Sequence, residues 1–133
     1  MSTTSSGEAT LTELDHVRIT ALGRRAPLSP VLRELLDVAD LVPVREVPGD
    51  VVTMYAKLQL AGADGQTHTR VVCYPEDANP DAGLVSVLSP LGTALIGRRV
   101  GDTVVWSTPD GREHSASVVA VTFQPESSGD FTT

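Results

Sequence analysis

The stretch SVLSPLGTALIGRRVGDTVVW, from Ser86 to Trp106, decides the fold because it joins two strands through a short helix. The helix is begun by Ser89-Pro90 and ended by Gly97, since serine caps, first-turn prolines and terminal glycines start and stop helices. Strands are predicted on either side of the helix, over Leu84 to Leu88 and over Thr103 to Ser107. The stretch therefore predicts the order strand, helix, strand.

Three further strands are predicted around this stretch. Val51 to Leu60 and Thr67 to Tyr74 both alternate, and Asp64-Gly65 between them predicts a hairpin turn. Glu113 to Phe123 follows the turn Pro109-Asp110-Gly111 and predicts the last strand. On the first of these strands, one face would carry Val52, Met54, Ala56, Leu58 and Leu60. Together the elements predict a strongly twisted, mostly antiparallel sheet with one short helix against it.

Two short amphipathic helices are predicted before the sheet. Thr10-Leu11-Thr12-Glu13 reads as a capping box for the first helix, and Ser29-Pro30 begins the second. The predicted stripes are Leu11, Leu14, Val17 or Arg18, and Leu22 on the first helix and Val31, Leu32, Leu35, Leu36 and Val38 or Ala39 on the second. The pair forms an antiparallel hairpin. A plain structural cap on the sheet is an equally good interpretation.

The predicted organisation is an α+β protein in four parts. Residues 1–9 are a disordered lead, residues 10–41 the helical hairpin, residues 42–126 the sheet domain, and residues 127–133 a flexible tail. Pro43, Pro48 and Gly49 mark a linker between the helices and the sheet.

Composition narrows the classes of function. With 133 residues the chain fits one ordinary domain, and the low aromatic content of 4% predicts an aliphatic core. The net charge of −7 disfavours autonomous binding to nucleic acid, which depends on basic residues that neutralise phosphates. No apolar run has the length of a membrane span, and the first residues do not form a signal peptide. We therefore expect a cytoplasmic protein with a protein partner.

No chemistry is predicted for the titratable residues. His16, His68 and His114 are spaced too far apart to suggest a metal site, and the single Cys73 lies in a strand, where a buried inert thiol is the common outcome. The acidic run from Glu76 to Asp81 lacks the spacing of a calcium loop. We predict no catalytic residue, no metal and no cofactor.

The deciding stretch resembles the C-terminal domain of the Gre transcription elongation factors. The shared pattern, Ser-Pro-x-Gly-x-Ala-Leu-x-Gly-x-x-x-Gly-Asp, begins here at Ser89 and ends at Asp102. The segments VPGDVVTMYAKLQL and VVCYPEDANPDAGLVSVLSP are still more similar to the Gre-related group called regulator of nucleoside diphosphate kinase (Rnk). With the final VVAVTFQPE, the resemblance covers about residues 42–126.

The resemblance implies an FKBP-like C-terminal domain, an N-terminal antiparallel coiled coil and bacterial RNA polymerase as the partner. In the family the globular domain docks on the rim of the polymerase secondary channel and the coiled coil points inward. The Ser-Pro loop belongs to the docking surface, which here means Ser89, Pro90 and Leu91. The alternative is that Ser89-Pro90 only begins a helix.

The hairpin tip departs from the family pattern. Gre factors that stimulate transcript cleavage carry carboxylates there, which help hold Mg²⁺ in the polymerase, whereas this tip offers Arg24 and Arg25 and no acid. Mg²⁺ requires oxygen ligands, which arginine lacks. We therefore predict a non-enzymatic regulator that docks at the channel without stimulating cleavage and competes with Gre factors. The arginines would contact acidic groups or nucleic acid, or stay solvated.

Two other functions stay open. An FKBP-like sheet could be a peptidyl-prolyl isomerase, but that activity needs a pocket lined by aromatic residues, and we expect Trp106 in the core instead. The chain could also be an adaptor that regulates a metabolic enzyme such as nucleoside diphosphate kinase.

Overall fold

The computed structural model describes residues 9–127. Most of the predicted lead and tail therefore lies outside the described residues. One residue of each segment is described, and both differ from the prediction of a disordered lead and a flexible tail. Ala9 is buried, and Ser127 donates a hydrogen bond to Gln124 Oε1 at 2.5 Å. The helices and strands follow one another as β1 Thr10–Thr12, α1 Glu13–Leu22, α2 Pro30–Val38, β2 Asp40–Val42, β3 Lys57–Gly62, β4 Thr67–Cys73, β5 Leu84–Ser86, α3 Pro90–Leu95, β6 Thr103–Ser107 and β7 Glu113–Phe123.

The main sheet has five strands in the order β5-β4-β3-β7-β6. The pairs β3–β4, β3–β7 and β6–β7 are antiparallel, as predicted, while β5 lies parallel to β4. The sheet is therefore mixed. β5 can run parallel to β4 because the segment between them is long enough to return to the starting end of the strand. α3 forms where it was predicted and contacts β6 at the opposite edge of the sheet.

The predicted strand from Val51 to Leu60 is shorter than expected. β3 begins only at Lys57, because Tyr55 has a φ of 67° and its N–H donates to the Val72 carbonyl, which interrupts the extended backbone. The predicted inner face is nevertheless buried along its whole length, from Val52 to Leu60. The alternation thus identified the core side chains correctly and the strand start incorrectly.

The first helix begins two residues later than the predicted capping box. Thr12, and not Thr10, is the N-cap, and its Oγ1 accepts from the Asp15 N–H at 2.9 Å. The predicted box is wrong because Thr10 belongs to β1, which pairs in parallel with β2. The Thr10 N–H donates to the Gly97 carbonyl at 3.0 Å, which ties this strand to the turn after α3.

The predicted stripe of α1 is correct at Leu11 and Leu22, which are buried, and wrong between them. The face that is buried carries Asp15, Ile19 and Leu22, while Val17 is 63% exposed. On α2, Leu32 and Leu35 are buried as predicted, but Val31 and Val38 at the ends of the stripe are exposed. Apolar periodicity alone could not show that α1 turns a carboxylate toward the protein.

The helices and the sheet share one hydrophobic core. His16 Nε2 donates to the Leu36 carbonyl oxygen at 3.0 Å and joins α1 to α2. α1 has 10 residues and is about 15 Å long, so the pair is short. The shared core supports the interpretation of the helices as a cap, while their description as a coiled coil stays a prediction. The buried cluster comprises Ala9, Leu11, Ile19, Leu22, Leu32 and Leu35 from the N-terminal segment and Val52, Met54, Leu58, Leu60, Val72, Val87, Leu95, Ile96, Val104, Ala116 and Val118 from the rest.

Asp15 links α1 to the sheet domain through a buried hydrogen bond. Its side chain is 1% exposed, and Oδ2 accepts from the Met54 N–H at 3.0 Å. Burial raises the pKa of Asp15 from 3.8 to about 6, and the carboxylate of Glu126 adds to the increase. The folded protein therefore holds a proton on Asp15 more tightly than the unfolded chain does.

This shift predicts a pH-dependent stability that the Asp15→Asn variant lacks. A folded-state pKa above the unfolded value means that stability increases as the pH falls toward 4, and is lost as the pH rises through 6. Relative to Asp15→Asn, the wild-type free energy of unfolding should gain about 2 kcal/mol between about pH 7.5 and about pH 4.5. Urea unfolding of both proteins across this range measures the difference. Parallel pH curves would contradict the assignment.

Candidate docking surface

The loop that precedes α3 is held by a compact set of hydrogen bonds. Ser89 Oγ accepts from the Gly92 N–H at 3.1 Å, which makes Ser89 the N-cap of α3 as predicted. The same hydroxyl donates to the Ser86 carbonyl at 2.7 Å, and the Ser89 N–H donates to that carbonyl as well. Ser89 thus uses its hydroxyl to shape the loop.

The three predicted docking residues differ in what they present to a partner. Pro90 is exposed, Ser89 is half-buried, and Leu91 is half-buried against the core. Thr93 Oγ1 donates to the Val87 carbonyl at 2.8 Å and fixes the first turn of α3 from the inside. The structure therefore exposes Pro90 and the outer part of Leu91 as a small apolar surface, with Ser89 holding the loop beneath it.

Gly92 makes this loop possible. A Cβ atom at this position would lie 1.9 Å from the carbonyl oxygen of Ser86, a backbone atom that cannot move aside independently. Any other residue would push the start of α3 away from the end of β5. The requirement comes from close packing, since the backbone of Gly92 is helical.

A groove of about 800 Å³ begins at Pro90 and separates α2 from β6. One wall is a single face of α2, formed by Val31, Glu34, Leu35 and Val38. All five residues of β6 line the opposite side. The remaining lining residues are Ala9, Ser29, Leu88, Pro90, Thr93, Ala94, Arg98 and Glu113.

Trp106 is half-buried, packs against the hydrophobic core and also lines this groove, so the expected core position is correct only in part. Its ring is stacked on His114 across the β6–β7 pair, with centroids 5.4 Å apart and an interplanar angle of 17°. Sequence reasoning missed the groove as a whole. The sequence feature that could have indicated the groove is the surplus of apolar residues on α2. Val31 and Val38 lie seven positions apart, on one face of the helix, and belong to neither the core nor a polar face.

The predicted hairpin tip lies beside the sheet domain. Arg24 and Arg25 follow α1 in a tight turn and are both exposed. Arg25 Nη2 is 3.9 Å from Glu76 Oε2, and both side chains are largely solvated, so the ion pair contributes about 0–1 kcal/mol. Among the described residues, no hydrogen bond or ion pair joins these arginines to Ser89, Pro90 or Leu91.

The surroundings of the histidines and of the cysteine are those of residues that support the fold. His16 bridges the two helices, His114 stacks on Trp106, and His68 is exposed on β4. Cys73 is buried, as predicted, and burial raises the pKa of its thiol. Within residues 9–127, no group of three or more His, Cys, Asp and Glu side chains is arranged to hold a metal ion.

The acidic run after β4 forms two single 3-10 turns, Pro75–Asp77 and Pro80–Ala82. The Asp77 carboxylate accepts a hydrogen bond from the Tyr55 hydroxyl. The carboxylates of Glu76 and Asp81 are exposed. Across the described part of the chain, no helix is long and apolar enough to cross a bilayer.

Comparisons with known proteins agree on one family. Residues 47–123 match the family "Transcription elongation factor, GreA/GreB, C-term". The chain is 35% identical over 106 residues to the "Regulator of nucleoside diphosphate kinase" of Escherichia coli strain K12, covering 79% of this chain and 78% of that protein. It is 37% identical over 94 residues to the transcription elongation factor GreA of Methylobacterium nodulans, covering 69% of this chain and 58% of that one.

The fold is similar to that of solved structures. A GreA/GreB-type prokaryotic transcription elongation factor from Nitrosomonas europaea superposes with a TM-score of 0.74 at 27% identity, over 89% of this chain and all of that one. The GreA factor homolog 1 (Gfh1) of Thermus thermophilus gives a TM-score of 0.50 at 22% identity over 86% of this chain and 99% of that one, a similarity of fold alone.

The close packing at Gly92 predicts a large effect of a small substitution. Gly92→Ala should lower the free energy of unfolding by at least about 2 kcal/mol, because the added methyl group forces the α3 backbone away from Ser86. Gly49→Ala is the matched control, since its Cβ would meet only a side-chain atom, the Ser127 Oγ at 3.2 Å, and no backbone atom. Denaturant unfolding of both variants measures the difference. Equal effects at the two positions would refute the packing requirement.

Proposed function

This chain belongs to the GreA/GreB transcription elongation factor family, and we propose that it is a non-enzymatic transcription regulator that binds bacterial RNA polymerase. The observation that carries the proposal is the exposed Pro90, held in one position by Ser89, Ser86 and Gly92. It would act in the cytoplasm, where bacterial polymerase works.

The geometry of the loop suits a docking role at the rim of the polymerase secondary channel. Pro90 has a fixed φ, and the hydrogen bonds around it leave little conformational freedom to lose on binding. Its neighbour Leu91 is half-exposed and adds apolar area. Pro90 and the exposed part of Leu91 would therefore present a small, stiff apolar surface to the polymerase.

The helical segment supports the second part of the proposal, that binding does not stimulate transcript cleavage. Its tip carries arginines, which provide no oxygen ligand for Mg²⁺. α1 is about 15 Å long and its inner face is buried against the sheet domain. We infer that the chain occupies the channel rim and excludes Gre factors without delivering carboxylates to the active site.

A second candidate is supported by the name of a relative. The Escherichia coli protein is named for the regulation of nucleoside diphosphate kinase, so this chain could be an adaptor for a metabolic enzyme. Capture from a bacterial lysate separates the two, since polymerase subunits should dominate under the main proposal. Peptidyl-prolyl isomerase activity is a weaker candidate, because Trp106 is the single aromatic residue in the groove lining.

Replacement of Pro90 tests the docking assignment. Pro90→Asp should weaken binding to core polymerase by about tenfold or more, because it places a charge in an apolar contact and removes the fixed backbone angle. Pro109→Asp, in the exposed β6–β7 turn, is the matched control and should bind as the wild type does. Titration of labelled protein with core polymerase provides the affinities. Unchanged affinity of Pro90→Asp would remove the assignment.

Backtracked elongation complexes test the absence of cleavage stimulation. We expect the rate of transcript shortening to stay at the value of polymerase alone, at protein concentrations that saturate binding. A GreA protein added to parallel samples serves as the positive control. Acceleration by this chain would show that its basic tip does not prevent catalysis.

A further inference from the structure

Strand β6 is the last strand of the sheet and pairs with β7 on one side. Within residues 9–127, no strand is bonded to its other edge. The Asp102 carbonyl accepts from the Val118 N–H, and the Thr108 N–H donates to the Arg112 carbonyl, each at 2.9 Å. The backbone N–H and C=O groups of successive strand residues alternate between the two sides of the strand. The backbone groups of Val104 and Trp106 therefore point toward β7.

The intervening residues, Thr103, Val105 and Ser107, therefore direct their N–H and C=O groups outward. In the part of the chain that the structure describes, no hydrogen bond engages these outward groups. A row of unpaired backbone donors and acceptors is a template for another strand. Exposed edges of soluble proteins are commonly covered or charged, and this one carries Val105 at its centre, 54% exposed.

The groove runs along this edge for its whole length. All five β6 residues line the groove. A groove against one face of the strand would meet only alternate side chains, so the groove must face the backbone edge. The opposite wall is the face of α2 that carries Val31, Leu35 and Val38. Its volume of about 800 Å³ is within the range of sites that hold ligands.

We propose that this groove binds an extended segment of a partner protein, which adds to β6 as a sixth strand. The segment would alternate apolar and basic residues. Its apolar side chains would meet the valines and Leu35, and its basic ones the carboxylates of Glu34 and Glu113, which outnumber the lining residue Arg98. The net charge of −7 favours the same partner. Backbone bonds would provide affinity and the alternating side chains specificity.

A second copy of this chain fits the edge poorly. Two β6 strands could pair only if both sheets approached edge to edge, and α2 stands along the edge of each copy. The proposal also does not depend on polymerase binding, although a segment bound in the groove would adjoin Pro90.

A synthetic peptide tests the site directly. The probe is a blocked peptide of about eight residues that alternates valine and lysine, and Trp106 is the reporter because the chain has one tryptophan. We expect a saturable change in Trp106 fluorescence and slower amide hydrogen exchange at Val105. The corresponding valine–glutamate peptide should bind about tenfold more weakly or not at all. Absence of a saturable signal, or equal binding of the two peptides, would overturn the proposal.

Two variants at one position separate strand addition from simple apolar contact. Val105→Pro removes the outward N–H, and an edge strand tolerates proline where that N–H faces solvent. Val105→Thr keeps the N–H and the shape. We expect Val105→Pro to lose about tenfold in affinity for the valine–lysine peptide and Val105→Thr to lose less than about threefold. Equal affinities would contradict backbone pairing. If Val105→Pro does not fold, exchange protection at Val105 in the wild type decides, and its absence counts against the proposal.

The charge of the lining gives an independent check. Glu34→Lys should weaken binding of the valine–lysine peptide and improve that of the valine–glutamate peptide, since Glu34 lies on the wall opposite β6. An unchanged preference would contradict the basic character assigned to the partner. These assays contain no polymerase, so their failure would leave the proposed function standing, and failure of polymerase binding would leave the groove assignment standing.

Discussion

The burial of α1 against the sheet domain is the constraint on which the rest of the structure depends. Ile19 and Leu22 enter the same cluster as Met54 and Leu58, and the Met54 N–H donates to the carboxylate of Asp15 inside that contact. A buried acid with its pKa raised to about 6 costs stability at neutral pH, so the apolar contact must more than offset it. With α1 held there, the chain returns along α2 beside β6, which creates the groove, and the arginine tip comes to lie next to Glu76.

Local signals in the sequence predicted most of the fold. The cap Ser89, the turn at Gly65 and the strand β6 depend on neighbouring residues, and the structure has each of them where the sequence placed it. The features that the sequence predicted incorrectly depend on contacts between residues far apart in the chain. Thr10 pairs with Asp40 across thirty residues and is thereby unavailable as a cap, and the backbone of Tyr55 turns because its N–H meets Val72. The parallel pairing of β5 is of the same kind, since strand direction is decided by tertiary packing.

The candidate site was predicted in part for the same reason. A motif identified Ser89, Pro90 and Leu91, but the structure assigns them unequal parts, with Ser89 committed to internal hydrogen bonds and Pro90 exposed. The groove could not be predicted, because its two walls come from α2 and β6, which are far apart in the chain. The helical segment of this chain is short and shares its hydrophobic core with the sheet domain, and this arrangement is the basis of the proposed role by occupancy.

Competition between this protein and GreA for core RNA polymerase tests the account most directly. The measurement is equilibrium binding of the labelled chain to polymerase at increasing concentrations of unlabelled GreA. The account predicts association at micromolar concentrations or below, and complete displacement with a single competitive curve, because both proteins would use one rim. No association at micromolar concentrations, or simultaneous binding of both proteins, would contradict it.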